Sequence, residues 1–168
     1  MPDSDQSYQR PMRMATAVMP GEILDFLNGR DLDQKLSEAI RICTVDEQGW
    51  PHAAMLSVGE VLALNPSELA ILVYESSNTS KNLVRDGRLT LALPLDRGLC
   101  EIRLRATAKS QAGEHRCFTA VVEDVRLHRS YYADVISGVT FRLHEPDTVL
   151  ARWSRQIELL RALKQENG

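Results

Sequence analysis

The segment CEIRLRATAKS, residues 100–110, alternates between apolar and polar side chains over almost its whole length. Successive side chains of a β-strand point to opposite faces, so this alternation predicts a strand with one buried face and one solvated face. The predicted buried face contains Cys100, Ile102, Leu104, Ala106 and Ala108, and the predicted solvated face contains Glu101, Arg103, Arg105, Thr107 and Lys109. A half-buried strand of this kind is typical of an antiparallel sheet.

Five further segments are apolar or rich in branched residues and are bounded by turn residues: 39–45, 52–64, 69–74, 88–95 and 138–143. Each is predicted to be a strand. Gly59 lies inside the second of them and predicts a bulge or a close backbone approach. Residues 117–129 fit either a helix or a strand. The connections are too short for parallel crossovers, so about six antiparallel strands are expected, and closure into a small barrel would remove their exposed edges.

Three segments are predicted to be helices. The first covers residues 20–28, and the second covers residues 80–86 and ends at Gly87. The third follows Asp147 or Thr148, either of which can cap its start. Its apolar stripe contains Val149, Leu150, Trp153, Ile157, Leu160 and Leu163.

Composition excludes several classes of protein. The formal charge of -3 over 168 residues argues against a general nucleic-acid binder. No apolar run reaches the length of a membrane span, and residues 1–19 form a predicted flexible arm without the apolar core of a signal peptide. The three cysteines show no CxxC spacing, so buried thiols in a reducing cytoplasm are expected. The four histidines lack metal-binding spacing, and no bound metal is expected.

The stretch YESSNTSKNL, residues 74–83, places four serine and threonine hydroxyls and an asparagine just ahead of one lysine. A helix that starts here offers unpaired amides and a partial positive charge, and with Lys81 these groups suit a phosphate monoester. Alternatively, one of the hydroxyl residues caps a surface helix and Lys81 is simply solvated. No nucleophile elbow, Walker loop or GxGxxG motif accompanies the stretch, and no catalytic residue is assigned.

The order of these motifs resembles the pyridoxamine 5′-phosphate oxidase-like family, the FMN-binding split barrels. The similar part covers roughly residues 36–110, from the hairpin TVDEQGWPHAAMLS to the segment SSNTSKNLVRDGRLTLAL. The resemblance implies a mainly β fold: a six-stranded antiparallel split β-barrel of Greek-key type with a C-terminal amphipathic helix. It also implies that residues 20–168 form a single FMN-binding domain, and that the cofactor lies at the interface of a homodimer.

The resemblance also implies which residues bind the cofactor. Ser77, Thr79, Ser80, Lys81 and Asn82 match the segment of the family that binds the phosphate. His52 lies at the start of the strand that runs beside the flavin ring in the family. Further along this strand, the backbone groups of Met55, Leu56 and Ser57 would meet the polar edge of the ring.

The chain departs from the vitamin B6 oxidases at one important point. Those enzymes place an arginine and a lysine on the second strand to hold phosphate, whereas residues 53–57 here have the sequence AAMLS. The phosphate would therefore depend on Lys81 and the hydroxyls, or on Arg85, and pyridoxamine phosphate is not the expected substrate. We expect a cytoplasmic FMN-dependent oxidoreductase that acts on a small organic molecule. The alternatives are a non-catalytic binding or sensing protein on the same barrel, and a member that binds a deazaflavin or haem.

Overall fold

The computed structural model of the protein describes residues 8–166, so residues 1–7 of the predicted N-terminal arm lie outside the described residues. The strands are β1 Met12–Arg13, β2 Glu38–Val45, β3 Pro51–Ser57, β4 Val61–Asn65, β5 Glu68–Tyr74, β6 Arg88–Leu95, β7 Gly98–Ala112, β8 His115–His128 and β9 Val139–Thr140. The α-helices are α1 Gly21–Phe26, α2 Asn78–Arg85 and α3 Pro146–Glu166, and a short 3-10 helix covers Leu32–Lys35.

All the described strands belong to one antiparallel sheet, in the order β3-β2-β6-β7-β8-β5-β4, with β1 added to β8 and β9 added to β2. The predicted antiparallel sheet with a C-terminal helix is confirmed. The predicted number of about six strands is not confirmed, because the sheet has nine strands within residues 8–166. The predicted closure is not confirmed either, since the path of paired strands among residues 8–166 ends at β3 on one side and β4 on the other.

The two ends of the sheet are nevertheless close together in sequence. The predicted strand 52–64 is in fact two strands, β3 and β4, separated by a turn at residues 58–60. Three residues span at most about 11 Å, so the sheet must curl until its two edge strands meet at this corner. Within the turn, the amide of Glu60 donates to the carbonyl oxygen of Ser57 over 3.0 Å.

Helix α3 covers one side of this corner. Its predicted apolar stripe is confirmed at Trp153, Ile157, Leu160 and Leu163, which are all at most 4% exposed. The tryptophan ring lies directly against Gly59, where an added Cβ atom would be only 2.2 Å from the Cγ atom of Trp153. The close approach predicted at Gly59 is therefore confirmed, and its partner is an aromatic side chain of α3.

The sheet interior follows from the strand patterns. In β5 the residues from Leu69 to Val73 are at most 4% exposed, as expected for a strand that is buried on both faces. In β7, Cys100, Ile102 and Leu104 are at most 2% exposed, which confirms the face predicted from the alternation. The ambiguous segment 117–129 lies almost entirely in strand β8, and the predicted strand 138–143 is reduced to β9.

The chain before α1 also packs against the sheet. Strand β1 pairs with β8, and Arg13 forms an ion pair with Asp124 over 2.8 Å. Met19 is 2% exposed, and its amide donates to the carbonyl oxygen of Pro66. Within residues 8–166, no helix has the length and apolar character needed to cross a membrane.

Candidate functional site

The turn between β2 and β3 and the start of α2 enclose a concavity of about 290 Å³. Its lining residues are Asp46, Glu47, Gln48, His52, Asn78, Lys81 and Asn82. Three of them, His52, Lys81 and Asn82, are predicted site residues, so the structure brings together parts of the two segments that the sequence singled out.

Helix α2 is fixed beside β2 by side-chain hydrogen bonds. Asn82 Nδ2 donates to Thr44 Oγ1 over 3.0 Å, and both residues are at most 4% exposed. The guanidinium of Arg85 donates to the carbonyl oxygen of Val45 and, over 3.3 Å, to Asn82 Oδ1. Because these bonds involve the second half of the helix, the first turn of α2 is left facing the concavity.

The cap of α2 is Ser77. Its Oγ accepts a hydrogen bond from the amide of Ser80 over 3.1 Å and donates to the carbonyl oxygen of Tyr74 over 2.6 Å. The capping alternative is thus confirmed for this hydroxyl, which is engaged within the helix start. Thr79 and Ser80 are also buried, at 5% and 2% exposure.

The groups of α2 that stay available are its first two amides and one lysine. The amides of Asn78 and Thr79 have no acceptor among the described residues, as expected for the first turn of a helix. The side chain of Lys81 is exposed and, within residues 8–166, has no ion-pair or hydrogen-bond partner. Of these groups, Asn78 and Lys81 line the concavity, so an anion there would meet the start of α2 and one full positive charge.

Two carboxylates line the same concavity and partly offset the positive charge of Lys81. Asp46 Oδ1 accepts hydrogen bonds from the amides of Gln48 and Trp50 over 2.9 and 2.8 Å, so its main task is to form the turn. Glu47 is exposed beside it. Sequence reasoning missed Thr44, Asp46 and Asn78; the polar Thr44 within the apolar strand AIRICTV was the available signal for the first of these.

The predicted residues of β3 do not share one surface. His52 lies opposite Thr44, and Leu56 lies opposite Ile40, so both side chains point to the inner face of the sheet. Leu56 is 7% exposed and belongs to the core. The side chain of Met55 points to the other face and is 57% exposed.

Ser57 lies at the far end of β3, about 16 Å along the strand from His52. Its amide and its hydroxyl both donate to Glu60 Oε2, over 2.7 and 2.9 Å. The polar groups of Ser57 thus stabilise the turn that leads to β4. Of the predicted β3 residues, only His52 faces the concavity.

The outer face of the sheet, on which Met55 lies, is covered by paired charges. Arg103 and His128 contact the two carboxylate oxygens of Glu101 over 2.6 and 2.8 Å. Burial raises the pKa of Glu101, but the hydrogen bonds from Arg103 and His128 outweigh burial and lower this pKa overall. Arg41, the cross-strand neighbour of Met55, has no ion-pair partner among the described residues.

No group of three or more His, Cys, Asp or Glu side chains within the described part of the chain is arranged to hold a metal ion. The concavity instead offers the groups that bind an oxyanion: amide donors at a helix start and a primary ammonium.

Solved structures that are similar to this chain show the class of fold to which it belongs. A "putative pyridoxamine 5′-phosphate oxidase" from Lactobacillus delbrueckii superposes with a TM-score of 0.51 and 17% identity, over 67% of this chain and 97% of that one. HupZ from Group A Streptococcus superposes with a TM-score of 0.50 and 12% identity, over 70% of this chain and 98% of that one. The resemblance to the pyridoxamine 5′-phosphate oxidase-like proteins is therefore confirmed at the level of the fold.

The family of the chain is shown by its sequence similarity to a relative. No family model matches the chain. The uncharacterized protein YclD of Bacillus subtilis (strain 168) is 33% identical over 147 residues, which cover 85% of this chain and 96% of that protein. The chain belongs to the same family as YclD.

Proposed function

We propose that the protein is an FMN-binding flavoprotein and that the concavity at α2 receives the cofactor's phosphate. The observation that carries this proposal is the placement of Lys81 and the two unbonded amides of Asn78 and Thr79 at one helix start. Backbone amides at a helix N-terminus bind phosphate oxygens well, and the nearby ammonium adds a charge-assisted hydrogen bond. The shared fold supports the proposal independently of this geometry.

The flavin ring of the proposed cofactor would lie along β3. This strand pairs only with β2 among the described strands, so the backbone groups on its outer edge are not used within the sheet. Of the predicted contacts to the flavin ring, we therefore keep those made by the backbone groups of Met55 and Leu56. We drop the amide of Ser57 from this set, because Glu60 already accepts its hydrogen bond.

A second copy of the chain would complete such a site. Trp50 is 71% exposed and Met55 is 57% exposed, and both belong to the β2–β3 hairpin that borders the concavity. Large apolar side chains exposed beside a ligand site suit a homodimer in which the partner covers the ring. The predicted homodimer thus remains part of the proposal.

A bound flavin would supply the electron-transfer chemistry of an oxidoreductase. The chain's own part is to bind the phosphate through α2 and to orient the ring along β3. His52, which is half-buried, lines the concavity together with Lys81.

A non-catalytic binding or sensing protein is the second candidate function. The observation that favours it is the number of predicted cofactor ligands already used within the chain: Ser77 caps α2, Asn82 bonds Thr44, and Ser57 bonds Glu60. Asp46 and Glu47 also lie in the same concavity as Lys81 and would repel an anion. We expect a site with these features to bind phosphate less strongly than one with a basic pair on the second strand.

Titration of the chain with FMN, followed by quenching of flavin fluorescence, separates the two candidates. We expect Lys81→Ala to weaken FMN binding about tenfold, because a charge-assisted hydrogen bond contributes about 1.5–3 kcal/mol. Glu47→Gln should strengthen binding, since it removes an opposing charge at an exposed position. Lys164→Ala, which changes an exposed lysine on α3 that does not line the concavity, is the matched control and should have no effect. Equal affinities in all four proteins, or no FMN binding at all, would favour the non-flavin candidate.

A further inference from the structure

A second groove lies between helix α3 and the hairpin that joins β7 and β8. It is shallow and largely open to solvent, and it has a volume of about 580 Å³. Its lining residues are His115, Arg152, Ser154, Arg155, Gln156, Glu158 and Leu159. None of these residues lines the concavity at α2.

The spacing of the residues explains why α3 presents them together. Arg152, Arg155, Gln156 and Leu159 are separated by three, four and seven positions, so they follow one face of the helix. This face adjoins the core-facing stripe that contains Trp153. Across the groove, the imidazole of His115 stacks on Tyr74 with a centroid distance of 4.4 Å.

Both arginines on this face are unpaired among the described residues. The side chains of Arg152 and Arg155 are exposed, and neither has an ion pair or a hydrogen bond within residues 8–166. On the outer face of the sheet, by contrast, Arg13, Arg103, Arg105 and Arg126 are all ion-paired. Two neighbouring unpaired guanidiniums make a strong site for a phosphate, whose geometry matches their planar donors.

Gln156 adds an observation that is independent of charge. Its side chain is 6% exposed, and its Oε1 atom has no hydrogen-bond donor among the described residues. Buried polar atoms in folded proteins nearly always have a partner. Gln156 lines the groove, and a turn of its side-chain amide towards the groove would let a ligand there supply the missing N–H or O–H donor.

From these features we propose that the groove binds a small aromatic organic phosphate of the mononucleotide class. The phosphate contacts Arg152 and Arg155, and an N–H group of the base donates to Gln156. Leu159, which is 46% exposed, and the ring of His115 provide an apolar surface for the planar base. This inference does not depend on the proposed flavin site, because the two sites share no residue.

Substitution of Glu158 tests the proposal through an expected gain of affinity rather than a loss. It lines the same groove, and its side chain is 75% exposed and pairs only loosely with Arg161, over 3.5 Å. Its negative charge opposes a phosphate, so Glu158→Gln should strengthen binding of the nucleotide severalfold. Replacement of an exposed glutamate by its amide leaves the fold unchanged.

Isothermal titration of the full chain with AMP, GMP, CMP and UMP tests the proposal, with adenosine and ribose 5-phosphate as half-ligands. We expect saturable binding of at least one nucleotide, weakened about tenfold by the double substitution Arg152→Ala and Arg155→Ala. In the double variant, the affinity for ribose 5-phosphate should fall and the affinity for adenosine should stay unchanged. In Gln156→Leu, the affinity for adenosine should fall and the affinity for ribose 5-phosphate should stay unchanged. Absence of saturable binding would overturn the proposal.

Matched variants separate this groove from the site at α2. Lys164→Ala, on the same helix but outside the groove, should leave nucleotide affinity unchanged. Nucleotide binding that is lost in Lys81→Ala and kept in the double arginine variant would overturn the groove as the binding site and support the concavity at α2. Thermal denaturation confirms that each variant is folded, and the exposed arginines can be replaced without loss of packing.

Discussion

Gly59 shows at the scale of one residue how the sequence and the fold are connected. The glycine sits in the turn between the two edge strands, where a Cβ atom added to it would have Cγ, Cδ1 and Cβ of Trp153 all within 2.5 Å. A side chain there would displace the largest fully buried residue of the core. The glycine therefore allows α3 to seal the corner at which the sheet curls.

We predict that Gly59→Ala destabilises the protein by about 3 kcal/mol, because overpacking of a filled core costs about 1–3 kcal/mol and the neighbour here is a rigid ring. Gly21→Ala is the control, since nothing lies within 4 Å of its Cβ position and it starts a helix. Urea denaturation of both variants measures the free energy of unfolding. Equal stabilities of the two variants would contradict the close packing of Trp153.

Individual site residues were predictable only in part. The hydroxyls and the lysine of SSNTSKNL identified the helix start, since caps and amides have a local sequence signature. The sequence did not reveal that Ser57 would bond Glu60 or that Leu56 would point into the core. Both outcomes depend on the register of β3 against β2 and on the turn at residues 58–60, which single-residue patterns do not determine.

At the scale of elements, the position of α2 depends on one buried hydrogen bond. Asn82 and Thr44 join the helix to β2, and neither has contact with bulk water to replace a lost partner. We predict that Asn82→Ala and Thr44→Val each cost about 1–3 kcal/mol of unfolding free energy. A double-mutant cycle should show a coupling energy of about 1 kcal/mol, which chemical denaturation can measure.

The control for this cycle is Asn78→Ala, which changes an exposed residue of the same helix. It should alter stability by no more than about 0.5 kcal/mol. If the two core substitutions act additively, the bond does not hold α2 in place, and the geometry of the concavity would have to be explained differently.

The strands and helices were predictable from the sequence wherever the alternation or the helical spacing of their apolar residues is unbroken. Strand β7 follows its alternation, and α3 follows its apolar stripe. Strand β8 was ambiguous because Arg103 pairs with Asp124 while Leu104 pairs with Val122, which leaves Glu123 as an extra residue. This bulge shifts the inward-facing positions by one, so Val122 and Val125 acquire a helix-like spacing of three.

At the scale of the whole molecule, the sheet order could not be derived from local patterns. Strand β2 pairs with β6, and β5 pairs with β8, so strands distant in sequence become neighbours. These pairings place the end of β2 beside α2 and thereby create the concavity at α2. The resemblance to a known family implied a mainly β, antiparallel fold, which the similarity of fold supports, but it did not specify these pairings.

The central claim is that the concavity at α2 holds the phosphate of a flavin. The most direct test compares the affinity of the full-length protein for FMN with its affinity for riboflavin, which has the same ring but no phosphate. Our account predicts that FMN binds at least about tenfold more tightly, as expected when a phosphate gains a charge-assisted hydrogen bond. Equal affinity for the two flavins, or no binding of either, would contradict the account.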